Sequence, residues 1–272
     1  MKTLKITILL FLCTFIAQAQ ETYKHSLSGI KKIKVYTDTS IDLKTGTSNQ
    51  LILNSDAGSS EYSSHKKQYD TEHADRKKSR KDKAKGLKPL YSNGNDNTGV
   101  GLEVTKDGST LIIKDLKSFM HRSGFKIQIP KGIDVYLNCG NLGHAKVEGI
   151  TSEIEIKTNV GHIDLKNISG PATVRTNTGN ITAIFSTVNQ SNPISLSTAT
   201  GDVDVSLANT TKANLSLKTT MGTVFTDFKF EVKKSKGLNP VGNPRKISTK
   251  LNNGGVQISL KSTTGNVYLR KK

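Results

Sequence analysis

The chain has 272 residues, with 40 Lys and Arg against 22 Asp and Glu, a formal net charge of +18, no Trp and 6% aromatic residues. That charge would suit a nucleic-acid binder, but the cations are not interleaved with aromatic side chains that could stack on bases, and nucleic acid is not expected as a partner. Anionic envelope material fits the balance better.

At the start of the chain, Lys2 and Lys5 precede an apolar run over residues 6–16, and Ala17-Gln18-Ala19 puts small residues where a signal peptidase inspects them. The run is too short for a membrane-spanning helix, which needs roughly 20 residues. Phe11-Leu12 ahead of Cys13 does not make a lipobox. Residues 1–19 therefore read as a signal peptide, and residues 20–272 as one exported domain with no transmembrane segment. Its destination would be the periplasm, the outer cell surface or the medium. Loss of Lys2 and Lys5 leaves a net +16, and loss of Cys13 leaves Cys139 alone, which excludes an intrachain disulfide.

From residue 27 onward apolar and polar residues alternate with the period of a half-buried strand. The runs in chain order are "IKVYT" (33–37), "IDLK" (41–44), "LEVT" (102–105), "FKIQI" (125–129), "IDVYL" (133–137), "IEIKT" (154–158), "ISLST" (194–198) and "LSLKT" (215–219). No long helical period follows the leader, so the fold class is all-β. Two stretches interrupt the pattern. Residues 65–88 hold ten Lys/Arg and four Asp/Glu, and residues 233–255 hold six Lys/Arg, no acid, Pro240, Pro244 and Gly254-Gly255. Both predict long basic loops too polar to pack, the first with room for a short helix near residues 74–84. Together they carry +12 of the mature +16.

One phrase recurs five times: "TNVGHIDL", "TNTGNITA", "TATGDVDV", "TTMGTVFT" and "STTGNVYL". Its glycines are Gly161, Gly179, Gly201, Gly222 and Gly265, separated by 18, 22, 21 and 43 residues, the last gap being about two periods. A weaker copy built on Val135, Leu137, Cys139 and Gly143 precedes them. Two strands and two turns in about 18–22 residues predict a parallel β-solenoid, since one such unit cannot bury its apolar face alone. A sandwich or barrel is the alternative, but it offers no reason for the same turn to recur. In a solenoid the glycines turn the chain with positive φ. Thr158, Thr176, Thr198, Thr219 and Ser262 form a hydroxyl ladder in the corner, with Cys139 as a first member. His144, His162, Asn180, Asp202, Thr223 and Asn266 then form an outward column.

Chemical candidates are few. His144, His162 and Cys139 are zinc-capable residue types, but a Cys in a threonine position points into the corner, so no metal or cofactor is expected. Asp164, Asp202 and Asp204 lie on neighbouring repeats, but Thr182 breaks that column and a Ca²⁺ cage is hard to build. "TGVG" (98–101) lacks a following helix and reads as a turn. No nucleophile, base and orienting acid stand in supporting context, so the protein is not expected to be an enzyme.

Several segments resemble the bacterial putative-adhesin family of β-strand-repeat domains. They are "IPKGIDVYL" (129–137), "EGITSEIEIKTNVGHIDLKNISGPATVRTNTGNITAIFS" (148–186), "GDVDVSL" (201–207), "KANLSLKTTMGTVFTDF" (212–228), "ISTKLNNGGVQISLKSTTGNVYLRKK" (247–272) and "GLKPLYSNGNDNTGVGLEV" (86–104). Ala208 stands where members often carry proline after the leucine of the "GDVDVSL"-like segment. The resemblance implies an exported, mainly β-repeat protein of adhesive type and carries no catalytic residue across.

The functional expectation is a non-enzymatic binding or scaffolding surface. Its basic loops, through Lys77, Lys78, Arg80, Lys81, Lys233, Lys234, Arg245 and Lys246, would meet anionic envelope glycan, lipopolysaccharide or a protein partner. A self-assembling structural protein is the alternative, opposed by the charged "YLRKK" expected at an edge strand. A polysaccharide-active enzyme on a β-helix is the third reading.

Overall fold

Alternation decides the local structure. In "IEIKTNV" the side chains of Ile154, Ile156 and Thr158 are buried while Lys157 and Asn159 face outward, and the segment is a seven-residue strand. β-branched residues fill such strands because they pack well on a pleated surface. The computed structural model describes residues 22–55, 83, 85–117, 124–230 and 245–272. Among them the elements are twenty strands.

The first seven are β1 (Thr22–Ser26), β2 (Lys32–Tyr36), β3 (Ile41–Thr45), β4 (Gln50–Ser55), β5 (Leu102–Asp107), β6 (Thr110–Asp115) and β7 (Phe125–Ile129). The repeat region supplies β8 (Asp134–Asn138), β9 (Ala145–Glu148), β10 (Ile154–Val160), β11 (Ile163–Ile168), β12 (Ala172–Thr178), β13 (Ile181–Phe185), β14 (Ile194–Thr200) and β15 (Val203–Leu207). Then come β16 (Ala213–Thr219), β17 (Val224–Thr226), β18 (Arg245–Leu251), β19 (Val256–Thr264) and β20 (Val267–Lys271).

They form two ten-stranded sheets. Sheet A runs β1-β4-β7-β3-β9-β11-β13-β15-β20-β17, and sheet B runs β18-β16-β19-β14-β12-β10-β8-β2-β6-β5. Central strands pair in parallel, in register with the repeat: Thr158 opposite Thr176, and Thr176 opposite Thr198. A strand of sheet B and the next strand of sheet A make one tier. Each tier turns its apolar side chains into one shared core, from Ile33 and Leu43 through Val174 and Phe185 to Leu260 and Leu269.

The order of tiers departs from the order of the sequence at both ends. Tier β6–β7 lies outside β2–β3, which then pairs with β8–β9 on its other side. Tier β19–β20 lies between β14–β15 and β16–β17. The 43-residue gap between Gly222 and Gly265 is therefore a step back into the stack, and the glycines follow the spatial order 201, 265, 222.

Two expectations are corrected here. "YLRKK" belongs to an interior strand, since β20 pairs with β15 on one side and, as far as Leu269, with β17 on the other, and Arg270 and Lys271 are exposed at its end. The expected loop over 233–255 contains a strand: β18 pairs antiparallel with β16 along its whole length, from Ala213 opposite Leu251 to Thr219 opposite Arg245. The backbone groups of β16 otherwise end the sheet unpaired, and the alternating Ile247, Thr249 and Leu251 suit the vacant edge. Residues 1–21, 56–82, 84, 118–123 and 231–244 lie outside the described residues, and with them the expected leader, most of the first basic loop and nearly all of its expected short helix. Among the described residues no helix is long and apolar enough to cross a membrane.

Candidate functional site

The repeated turn is a corner where the chain passes from sheet B to sheet A. Its hydroxyls bind across tiers. Thr158 Oγ1 donates to the Gly143 carbonyl at 2.9 Å, Thr176 Oγ1 to Gly161 at 3.1 Å and Thr198 Oγ1 to Gly179 at 2.9 Å. Ser262 Oγ donates to Gly201 and Thr219 Oγ1 to Gly265, each at 2.7 Å. A Cβ on Gly161, Gly179, Gly201, Gly265 or Gly222 would overlap the carbonyl oxygen of the glycine one tier back. Positive φ adds to this at Gly179, Gly201 and Gly265, while Gly161 and Gly222 are required by the close approach alone.

Towards the other end of the stack the same column continues through Cys139 and Thr37 to Asp115. Cys139 is fully buried, and burial pushes its thiol up to about 12. Asp115 accepts from Thr37 Oγ1 at 2.7 Å and from the Lys117 amide at 2.9 Å. Burial nevertheless raises its carboxyl above the usual range.

A second column runs on the outer side of the corner. The His162 amide donates to His144 Nδ1 at 2.9 Å and the Asn180 amide to His162 Nδ1 at 3.1 Å. The Asp202 amide donates to Asn180 Oδ1, the Asn266 amide to Asp202 Oδ1 and the Thr223 amide to Asn266 Oδ1. The two imidazoles stack with centroids 5.4 Å apart. Both histidines therefore use Nδ1 to hold backbone, and Cys139 lies inside the corner. Burial, and then the charge His162 can carry, hold His144 below the ordinary histidine range, against the opposing pull of Asp164. Asp164, Thr182 and Asp204 share one outward row, and Asp204 is held by Arg270 at 2.7 Å. In "TGVG" the Asp96 carboxylate receives the amides of Thr98, Gly99 and Gly101, so the turn is closed by its own side chain.

The outer face of sheet B gathers what the separate motifs do not. Register aligns Tyr36, Asn138, Lys157, Arg175, Ser197, Lys261, Lys218 and Lys246 in one row across eight strands. Beside it on the corner runs an amide track. Asn159 Nδ2 donates to Asn141 Oδ1 at 2.6 Å, Asn177 Nδ2 donates to Asn159 Oδ1 at 2.9 Å, and the Asn141 amide donates to Asp38 Oδ1. The row and the track enclose a shallow cleft of about 390 Å³ lined by Asn141, Lys157, Asn159, Arg175 and Asn177. Through Asn138 and Gly140 it joins a larger cleft of about 810 Å³, lined by Tyr36, Asp38, Tyr91 and Asp115 among others. Tyr36 and Tyr136 pack at 5.6 Å, and the Lys157 ammonium lies 5.4 Å from the Tyr136 ring centre.

The model of the family described as Toastrack DUF4097 matches residues 40–270. The chain belongs to that family. No curated protein matches it in sequence. Two solved structures are similar along most of their length. A "putative cell adhesion protein" from Clostridium sporogenes is 10% identical with a TM-score of 0.47, over 93% of this chain and 98% of that one. A "putative adhesin" from Bacteroides fragilis is 12% identical with a TM-score of 0.33, over 92% of this chain and 96% of that one.

In this Toastrack chain Lys77, Lys78, Arg80, Lys81, Lys233 and Lys234 fall outside the described residues. Arg245 and Lys246 open β18, with Lys246 exposed and opposite Lys218. The basic row and the amide track escaped the sequence reading, although their signal is in the repeat. The residue before each corner Thr or Ser reads Lys157, Arg175, Ser197, Lys218 and Lys261, and the residue after it reads Asn159, Asn177, Ala199, Thr220 and Thr263.

Proposed function

We propose that the protein is a non-enzymatic, exported β-repeat protein of solenoid type that presents a basic binding or scaffolding surface to anionic envelope partners. The observation that carries this reading is the row on sheet B. Lys261, Lys218 and Lys246 stand directly opposite one another on adjacent strands, and Lys157 and Arg175 continue the row beyond Ser197. Like charges directly opposite on neighbouring strands destabilise a sheet. The described ion pairs lie elsewhere, at Lys44–Glu148, Lys114–Glu103 and Arg270–Asp204. Lys157 is steadied by the Tyr136 ring and by the charge of Glu155, but no described ion pair offsets the contacts of Lys261, Lys218 and Lys246, and an anionic chain laid across them would relieve the repulsion. At the strand spacing the row from Lys157 to Lys246 spans about 24 Å, which suits an extended partner rather than a point ligand. Beside Ser197, Lys261, Lys218 and Lys246 the neighbouring row is Ser195, Ser259, Ser216 and Ser248, and it continues as Thr173, Glu155 and Tyr136 beside Arg175 and Lys157.

Purified anionic envelope glycan is expected to bind with an affinity that falls steeply as NaCl rises. Replacing Lys157, Arg175, Lys218, Lys246 and Lys261 together by Ala is expected to weaken binding at least about tenfold. Binding that ignores both salt and the five replacements would overturn the proposal.

A further inference from the structure

We infer that the smaller cleft along the corner, lined by Asn141, Lys157, Asn159, Arg175 and Asn177, is a binding groove for a linear uronate-bearing polysaccharide whose chain runs along the stack. The inference rests on the basic-surface reading and names the part of that surface that recognises sugar. Its chemistry lies in the amide track. An asparagine amide has two N–H donors and an oxygen with two acceptor sites. Within the track Asn159 gives one N–H to Asn141 and receives one from Asn177. One donor and one acceptor site of this exposed side chain remain for a ligand, and a sugar hydroxyl uses both.

The track is local. After Asn177 the next tiers carry Ala199, Thr263 and Thr220 at the same position, so packing of the corner does not demand asparagine. The amides coincide with Lys157 and Arg175, one strand apart and alongside them in the same cleft. A planar guanidinium matches a carboxylate by two parallel hydrogen bonds, and the lysine adds a second charge. Hydroxyl-binding amides beside carboxylate-binding cations, both repeating along one axis, are complementary to a chain that repeats hydroxyls and carboxylates. In the adjoining larger cleft the exposed ring of Tyr36 offers apolar surface for a sugar face. A single-stranded nucleic acid would need aromatic platforms between the cations, and the cleft around Lys157 and Arg175 is lined by amides instead.

The test uses oligogalacturonate, polyglutamate (carboxylates without hydroxyls) and neutral dextran, with calorimetry on the full chain and on three variants. The side chains are exposed, apart from the half-buried Lys218, so each variant is first required to melt with the parent. Asn159→Ala/Asn177→Ala is expected to weaken oligogalacturonate about tenfold or more while leaving polyglutamate unchanged. Lys157→Ala/Arg175→Ala weakens both, and Lys218→Ala/Lys246→Ala/Lys261→Ala affects oligogalacturonate less than either. Dextran binds to none. Oligogalacturonate binding indifferent to Asn159 and Asn177, or dependent only on the distant lysines, overturns the groove while leaving the basic surface standing. Absence of binding to either anionic polymer overturns both.

Discussion

At the residue scale the repeated glycine is explained by what lies one tier away. Gly179 has φ +143°, and a Cβ there would overlap the Gly161 carbonyl oxygen, which also accepts the Thr176 hydroxyl. Gly132 also has positive φ, +84°, but open space around its Cβ position. Gly132→Ala should therefore cost about 1 kcal/mol, the penalty of left-handed backbone alone. Gly179→Ala should cost about 3 kcal/mol or more, because main chain rather than a flexible side chain must move. Urea midpoints of the two variants measure the difference; equal losses would remove the close-approach account. The recurrence of Gly in the phrase was legible in sequence, but a positive φ describes only three of the five positions. Contact between tiers governs all five, and it is invisible in a single copy.

At the scale of the element, each tier from β8–β9 to β16–β17 is tied to the next by a side-chain acceptor that receives a backbone amide. His144 and His162 can do this only while Nδ1 is unprotonated. Burial holds His144 below its ordinary range in the folded protein, while in the unfolded chain it titrates near about 6.5. Between those two values the unfolded chain binds more protons, so stability is present above about pH 6.5 and is lost as pH falls towards the folded pKa. Asn180 and Asn266 perform the same task without titrating. His144→Asn should flatten the decline in unfolding free energy between pH 7.5 and 5.5; a parallel decline in parent and variant would show that other groups cause it. Strand identity was legible because Ile154, Ile156 and Thr158 alternate with polar residues. β18 was not, because Pro240, Pro244 and the dense lysines around it outweigh a short alternation completed only by the free edge of β16.

At the scale of the whole molecule, tier order is the property that local pattern does not contain. Nothing in "STTGNVYL" distinguishes a tier that extends the stack from one that enters it, since its core-facing residues match those of the other copies. The basic row proposed as a binding surface is illegible for the same reason: Lys157, Arg175, Lys218 and Lys261 are ordinary solvated positions until register lines them up. Leu260 is fully buried, opposite Leu196 on one side and Leu217 on the other. Leu260→Ala should cost about 2–5 kcal/mol. It should also lower amide protection in β14, β16 and β18 together when followed by hydrogen exchange. Loss confined to β19 itself would mean that the far tier holds without it.

The position of β19–β20 also imposes a chronology. β16, β17 and β18 leave the ribosome before the strands that connect them to the rest of the protein, and until then β14 and β16 have no shared partner. The stack cannot be assembled in the order in which it is made. The place between β14–β15 and β16–β17 is one that only the chain's own continuation fills.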